Sequence, residues 1–206
     1  MRNLLALSIF PAIIASGTNA VAEPILVLVH NYAGVETTLL KRAERSAARV
    51  LQTGGVQVNW LDCPEAAQAS QQCQDPPYPS ALVLHLLPAT ASRRAEPSGS
   101  LGFAVPPDAG QFGSFAGVFY DRVERLASRG FNEQVILGHA MAHEIGHLLL
   151  GPGGHTVNGI MKAEWHRKEL EQATNGTLGF DAVQRNSITQ TLKARLLAAH
   201  MTSGIR

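Results

Sequence analysis

No cluster of basic residues occurs anywhere in this chain, and 17 Lys and Arg against 16 Asp and Glu leave a formal charge of +1. Binding to a phosphate backbone needs a cationic stripe or patch, so nucleic acid has no electrostatic support as a partner. Cysteine is equally scarce, with Cys63 and Cys73 alone, and no histidine cluster beside them to complete a metal site. Long apolar runs are missing after the first residues, so nothing there predicts stable insertion into a membrane. There is no Gly-x-Ser-x-Gly nucleophile elbow and no glycine loop of the phosphate-cradling kind.

What is present begins with an export pattern. Arg2 supplies a positive start, and Leu4 to Ala15 is an apolar run too short to span a bilayer comfortably. Ala20-Val21-Ala22 fits a small-x-small cleavage site. Residues 1–22 therefore read as a signal peptide, with the mature chain starting near Glu23 and the protein secreted or periplasmic. Residues 23–206 suffice for one domain with a real core. In an exported chain Cys63 and Cys73 are expected to pair, closing a small surface loop that contributes about 2–3 kcal/mol by chain entropy.

The apolar pattern predicts an α/β (α+β) domain with a mixed twisted sheet of about five strands. Ile25 to Val29 reads as a buried strand, and Val56 to Leu61 alternates as a second. Between them Glu36 to Thr53 carries Leu39, Leu40, Ala43, Ala47, Val50 and Leu51 on one stripe, ended by Gly54-Gly55. Strand, helix and strand in succession predict parallel pairing. Ala81 to Leu87 is almost wholly apolar and is expected at the centre of the sheet. Pro88 to Ser100 reads as a loop, Leu101 to Val105 as a short edge strand, and Gly117 to Tyr120 as a fifth strand. Asp121 to Ser128 fits a helix or a loop. Glu133 to Leu150 reads as a helix capped by Asn132, with Val135, Ile136, Ala140 and Leu148 facing the sheet. Asn175-Gly176 marks a turn before a last helix from Phe180 to Ala199.

Residues 143–147 on the second long helix are His-Glu-Ile-Gly-His. Residues four apart on a helix lie about 40° apart around the axis and one turn apart along it, so one cation can touch both imidazoles. Glu144 is placed to reach a water beside that cation. Two neutral nitrogen ligands and a nearby carboxylate base are the kit of a zinc hydrolase. Gly151 is expected to end the helix in the left-handed conformation, and Pro152 forbids its continuation. Gly153 and Gly154 let the chain double back, which can return His155 to the same ion as a third ligand.

These residues resemble the metzincin zinc peptidases, whose pattern is HExxHxxGxxH followed by a methionine turn. His143, Glu144 and His147 match in place. Gly151 stands one residue later than the pattern and His155 two later. Met161, in Gly159-Ile160-Met161, resembles the turn methionine. The resemblance implies a single metzincin-like domain with an active-site helix, a Met-turn and a C-terminal helix. It further implies Zn²⁺ on His143, His147 and His155, Glu144 as the catalytic base, an apolar floor from Met161, and a peptide or protein substrate. Two alternatives stand beside it. One is a gluzincin-type peptidase with Glu164 or Glu169 as third ligand; the other is a non-catalytic extracellular zinc-binding module. His139 is expected to pack or to support the site, His85 to be a hydrogen-bonded core residue, and Trp165 to pack. No feature of the sequence specifies an oligomeric state.

Overall fold

The structure is a computed structural model, and it describes residues 23–64, 70–93, 99–151 and 153–203. The expected signal peptide and Pro152 lie outside these. Five strands form one mixed sheet: β1 (Ile25–Asn31), β2 (Val58–Cys63), β3 (Ala81–Leu87), β4 (Gly102–Ala104) and β5 (Phe115–Phe119). Their order is β2-β1-β3-β5-β4, so the apolar β3 is central as expected. β1, β2, β3 and β5 run parallel, and β4 is an antiparallel edge.

Seven helices are described: α1 (Thr37–Thr53), α2 (Gln71–Gln74), α3 (Ala89–Ser92), α4 (Tyr120–Ala127), α5 (Glu133–Leu150), α6 (Arg167–Thr174) and α7 (Ala182–Ser203). The short helices α2, α3 and α6 were not expected from sequence. β2 starts two residues late, because the Gly54–Gly55 turn first returns Val56 to its own helix through Val56 N–H to Leu51 O (3.1 Å). Gly55, at φ +78°, takes the positive φ of that turn. β5 starts two residues early and ends at Phe119, since Tyr120 already belongs to α4.

Period-two alternation sorts the sheet into two faces. Val27, Val29, Leu82, Leu84, Leu86, Ala116 and Val118 are buried beneath α1 and α5. The opposite face carries Leu28 and Ala81, packed with Cys63 and Cys73. Those two cysteines form a disulfide, Cα to Cα 5.6 Å, joining the end of β2 to α2. His85 lies on this second face and makes no hydrogen bond among the described residues. Instead its half-buried ring stands edge-on to Phe115 (4.6 Å), Tyr32 and His30 (both 4.9 Å). Burial, with His30 adding to it, pushes its pKa down to about 4, so the ring stays neutral.

α5 was expected to place one stripe against the sheet, yet it is buried nearly all round, from Ile136 to Gly146 without a break. The neighbour that accounts for this is α1. A Cβ at Gly138 would lie 2.4 Å from Ala43 O and 2.6 Å from the Ser46 Cβ, so the helices cross with backbone almost in contact. Ala43 and Ala47, both fully buried, leave room for that approach. Asn132 occupies the N-cap position, but its side chain makes no cap bond; its carbonyl accepts from Val135 and Ile136. At the other end of α5, α7 supplies the buried Arg195. Its guanidinium donates to Leu148 O (3.1 Å), Pro79 O (2.9 Å) and Gly113 O, which satisfies a terminal helix carbonyl.

The crossing makes a direct prediction. Gly138→Val should lower stability by about 1–3 kcal/mol, as overpacking does, despite valine's better helix propensity. Thermal or urea unfolding measures this, and an unchanged midpoint would contradict the α1–α5 contact.

Candidate metal centre

One turn of α5 sets His143 above His147, and their rings meet at 4.8 Å. The chain then leaves the helix through Gly151, whose φ of +80° and ψ of −171° lie in extended space open to glycine. This is not the left-handed cap expected from sequence. Gly153, at φ +79°, turns the chain back. A Cβ on Gly154 would be 3.3 Å from His147 Nδ1, so the returning strand runs against the histidine it has just left. His155 thereby arrives with its ring 4.6 Å from that of His147.

Three ε nitrogens converge. His147 Nε2 lies 3.1 Å from His143 Nε2 and 3.1 Å from His155 Nε2. Ligand atoms of the three side chains all fall within 4.8 Å of one another. Imidazoles at 2.0–2.1 Å from a tetrahedral zinc would have nitrogens about 3.3–3.4 Å apart. The donor set therefore fits a zinc-sized cation, and it is the single such group among the described residues.

His143 is held in the tautomer this requires. Its Nδ1–H donates to Ile160 O (2.7 Å), which leaves the Nε2 lone pair facing the other two rings. Ile160 belongs to a tight turn, closed by Thr156 N–H to Met161 O (2.9 Å) and by Ile160 N–H to Gly179 O (3.1 Å). Met161 is fully buried beneath α5. Its sulfur would stand 2.6 Å from a Cβ at Gly146, so only glycine within the His-Glu-Ile-Gly-His stretch lets the methionine seat there. Trp165 crosses the His143 ring edge-on at 5.8 Å. His139 packs, with Nδ1–H to Val135 O (2.8 Å), and takes no place among the converging nitrogens.

Glu144 is 4% exposed and lies under β4. Gly102 makes that possible, because a Cβ there would sit 2.8 Å from the Glu144 carboxylate and 2.3 Å from Gly117 O. Burial pushes the Glu144 carboxyl up to about 8. Of the two other acids weighed from sequence, Glu169 is committed elsewhere, accepting from Lys162 Nζ (2.8 Å) and His166 N–H (2.9 Å). Glu164 lines the cleft but is not part of the nitrogen cluster.

Glu144 and the three histidines open into one cleft of about 1060 Å³. Its walls are β4 with its flanking residues, the side of α4, and residues 163–166. No protein-family model and no curated protein sequence matches this chain. Among solved structures it is similar to the archaemetzincin of Methanopyrus kandleri, at 16% identity and a TM-score of 0.48, over 82% of this chain and 96% of that one.

Several residues of the site had not been picked out from sequence. Gly102 and Gly146 matter for the side chain they lack, and the Ile160 carbonyl is a backbone group. Arg122, Arg125 and Arg129 line the α4 wall. Their three- and four-residue spacing was a readable signal.

Burial, followed by the mutual repulsion of the rings, holds His147 down at about 3; burial also takes His143 to about 4. Both lie below the usual 6.5, so the unfolded chain binds more protons as pH falls. Stability from these groups is complete above about pH 6.5 and is lost as pH drops through 4 to 3. These two histidines therefore lower the melting temperature of the metal-free protein as pH falls below about 6.5, whereas Glu144, raised to about 8, acts in the opposite sense over the same range. His147→Asn should remove its share of the histidine effect; parallel slopes for variant and wild type in chelator would refute the assignment.

Proposed function

We propose that this protein is an exported zinc-dependent endopeptidase of metzincin type. The observation that carries the reading is the convergence of three ε nitrogens beside a buried carboxylate at the floor of an open cleft. Three nitrogen donors with a free approach from one side suit a catalytic zinc, whereas a structural site is closed on all four. His143, His147 and His155 would hold the ion. When bound, zinc lowers the pKa of a coordinated water towards 7 and polarises a carbonyl in its reach.

The remaining work falls to the chain's own residues. Glu144 takes the proton of the attacking water and passes it to the leaving amine. Its carboxyl is raised by burial alone, and a dication beside it would favour the carboxylate form needed to accept that proton. The Ile160 carbonyl holds His143 in register through its Nδ1–H. Met161, buried against Gly146 of α5, would give the site an apolar floor.

Substrate is offered a strand to pair with. On either side of β4, Val105 N–H bonds Phe115 O and Phe119 N–H bonds Leu101 O, so odd-numbered residues face β5. The N–H and C=O of Gly102 and Ala104 point to the open edge, along the cleft. An extended peptide that adds to this edge passes directly over Glu144. Commitment of Glu169 to Lys162 and His166 supports His155 over a glutamate as the third ligand. A non-catalytic zinc module has no use for a buried carboxylate at the cleft floor. Export rests on the pattern of residues 1–22, and the Cys63–Cys73 disulfide suits an oxidising compartment. No described helix is long and apolar enough to cross a membrane.

Two outcomes are expected. Purified wild type should carry one zinc per chain and cleave an unfolded protein, while Glu144→Ala should keep the zinc and lose cleavage by about 10²–10⁴-fold. Zinc retained with no cleavage by wild type across a broad peptide library would sink the peptidase reading. Gly102→Val should likewise keep zinc yet lose at least about tenfold in kcat/KM, because its side chain would displace β4 or Glu144. Undiminished turnover in that variant would remove β4 from the substrate path.

A further inference from the structure

Arg122, Arg125 and Arg129 follow one another at steps of three and four, which aligns them on one stripe of α4 and the turn that continues it. All three line the cleft that holds Glu144 and the histidines. They differ in what already engages them. Arg122 is buried, with its guanidinium 4.4 Å above the Phe119 ring, and it donates to Ser100 O (2.6 Å) and Ser92 O (2.8 Å). It fixes the segment that enters β4. Arg125 is paired through Nη1 to Asp121 Oδ2 (2.5 Å), an acid that also accepts from Ser92 Oγ (2.8 Å). With a side chain 60% exposed, Arg125 keeps most of its donors turned to solvent. The Arg129 side chain has no hydrogen bond or ion pair with any described residue, and it is exposed at the cleft rim.

The opposing acids are few. Among the cleft-lining residues the carboxylates are Glu144, which lies at the floor, and Glu164 on the far wall. The α4 wall therefore presents guanidinium groups with one carboxylate, Asp121, shared along the stripe. Leu101, Leu126 and Trp165 add apolar surface to the same cleft. A cleft with low-dielectric walls focuses the field of the charges at its rim, and guanidinium donors match a carboxylate two at a time.

We propose that Arg125 and Arg129 select peptides bearing an aspartate or glutamate side chain close to the scissile bond. This rests on the peptidase reading, but the selection is a property of binding. It can be measured without turnover. The protein to use is the zinc-loaded Glu144→Gln chain, with fluorescent decapeptides that differ only in carrying Asp, Ala or Lys at each position in turn. Acidic peptides should bind about tenfold more tightly than their alanine counterparts at one or two adjacent positions. That advantage should vanish, or reverse in favour of Lys, when Arg125→Glu and Arg129→Glu are added. Because zinc itself attracts carboxylates, an acidic preference that survives both charge reversals would overturn the proposal. So would equal binding of all three peptides, or a preference for Lys in the unreversed chain, which would point to Glu164 as the selecting group. Circular dichroism and zinc content of the reversed chain establish that it is folded. Cleavage of the same peptides by wild type separates the two readings: acidic peptides bound but left uncut retain the selection and discard the peptidase.

Discussion

The hydrogen bond from His143 Nδ1–H to the Ile160 carbonyl ties the buried helix to the turn packed beneath it. Without it the His143 ring would lack the acceptor that fixes its tautomer. With it, His143 has one tautomer and one ring plane. The turn that supplies the carbonyl is also the one that seats Met161 under the helix and follows directly from His155. A single backbone acceptor thus sets the orientation of one ring and the position of the segment that delivers another. It can do so because Ile160 is itself fully buried, which denies its carbonyl any competing water.

Rigidity at that join comes from missing side chains. α5 is approached on three sides to distances that no Cβ would permit: by α1 at Gly138, by Met161 at Gly146, and from the sheet edge through Gly102 onto Glu144. Each contact trades helix or strand propensity, roughly 0.5–1 kcal/mol per glycine, for close packing. The reason lies in the chemistry of the helix. It buries two histidines and a glutamate, and only a tightly enclosed helix excludes water well enough to depress the histidines and raise the carboxyl as far as these are shifted. Burial of polar groups without partners costs stability, so the surrounding fold must supply the compensation through α1, the sheet and α7.

This division explains what could be read from the sequence. Strands β1 and β3 and helices α1 and α5 were legible because their apolar periods are long and their ends carry glycine or turn residues. The His-Glu-Ile-Gly-His stretch was legible because helical geometry alone brings residues four apart to one side. The Cys63–Cys73 pair followed from there being no other partner for either. The misplaced ends of β2 and β5 reflect backbone bonds, such as Val56 to Leu51, that side-chain patterns do not encode. Buried Arg195 looked like an ordinary charge on a helix surface, because three carbonyls from three distant segments are invisible to any local pattern. His85 was expected to need a hydrogen bond; an edge-on aromatic cage served instead, since a neutral imidazole whose pKa burial has lowered is content among rings.

The linker from His147 to His155 is two residues longer than the pattern HExxHxxGxxH allows, which bears on what such a spacing means physically. If the residue count itself were the constraint, a linker longer than the pattern should misplace the third ring by several ångströms, since each added residue can extend the chain by about 3.3–3.6 Å. The His155 ring nevertheless meets that of His147 at 4.6 Å. The linker holds two glycines at positive φ, Gly151 and Gly153, a conformation that other residues rarely adopt. What must be preserved is the end-to-end vector from helix to third ring, and glycines allow many contours to satisfy it. On this argument the number of linker residues is free to drift while the glycines at its corners are not. The far end of the linker is then fixed independently, by Thr156 N–H to Met161 O, so that His155 is held from both sides.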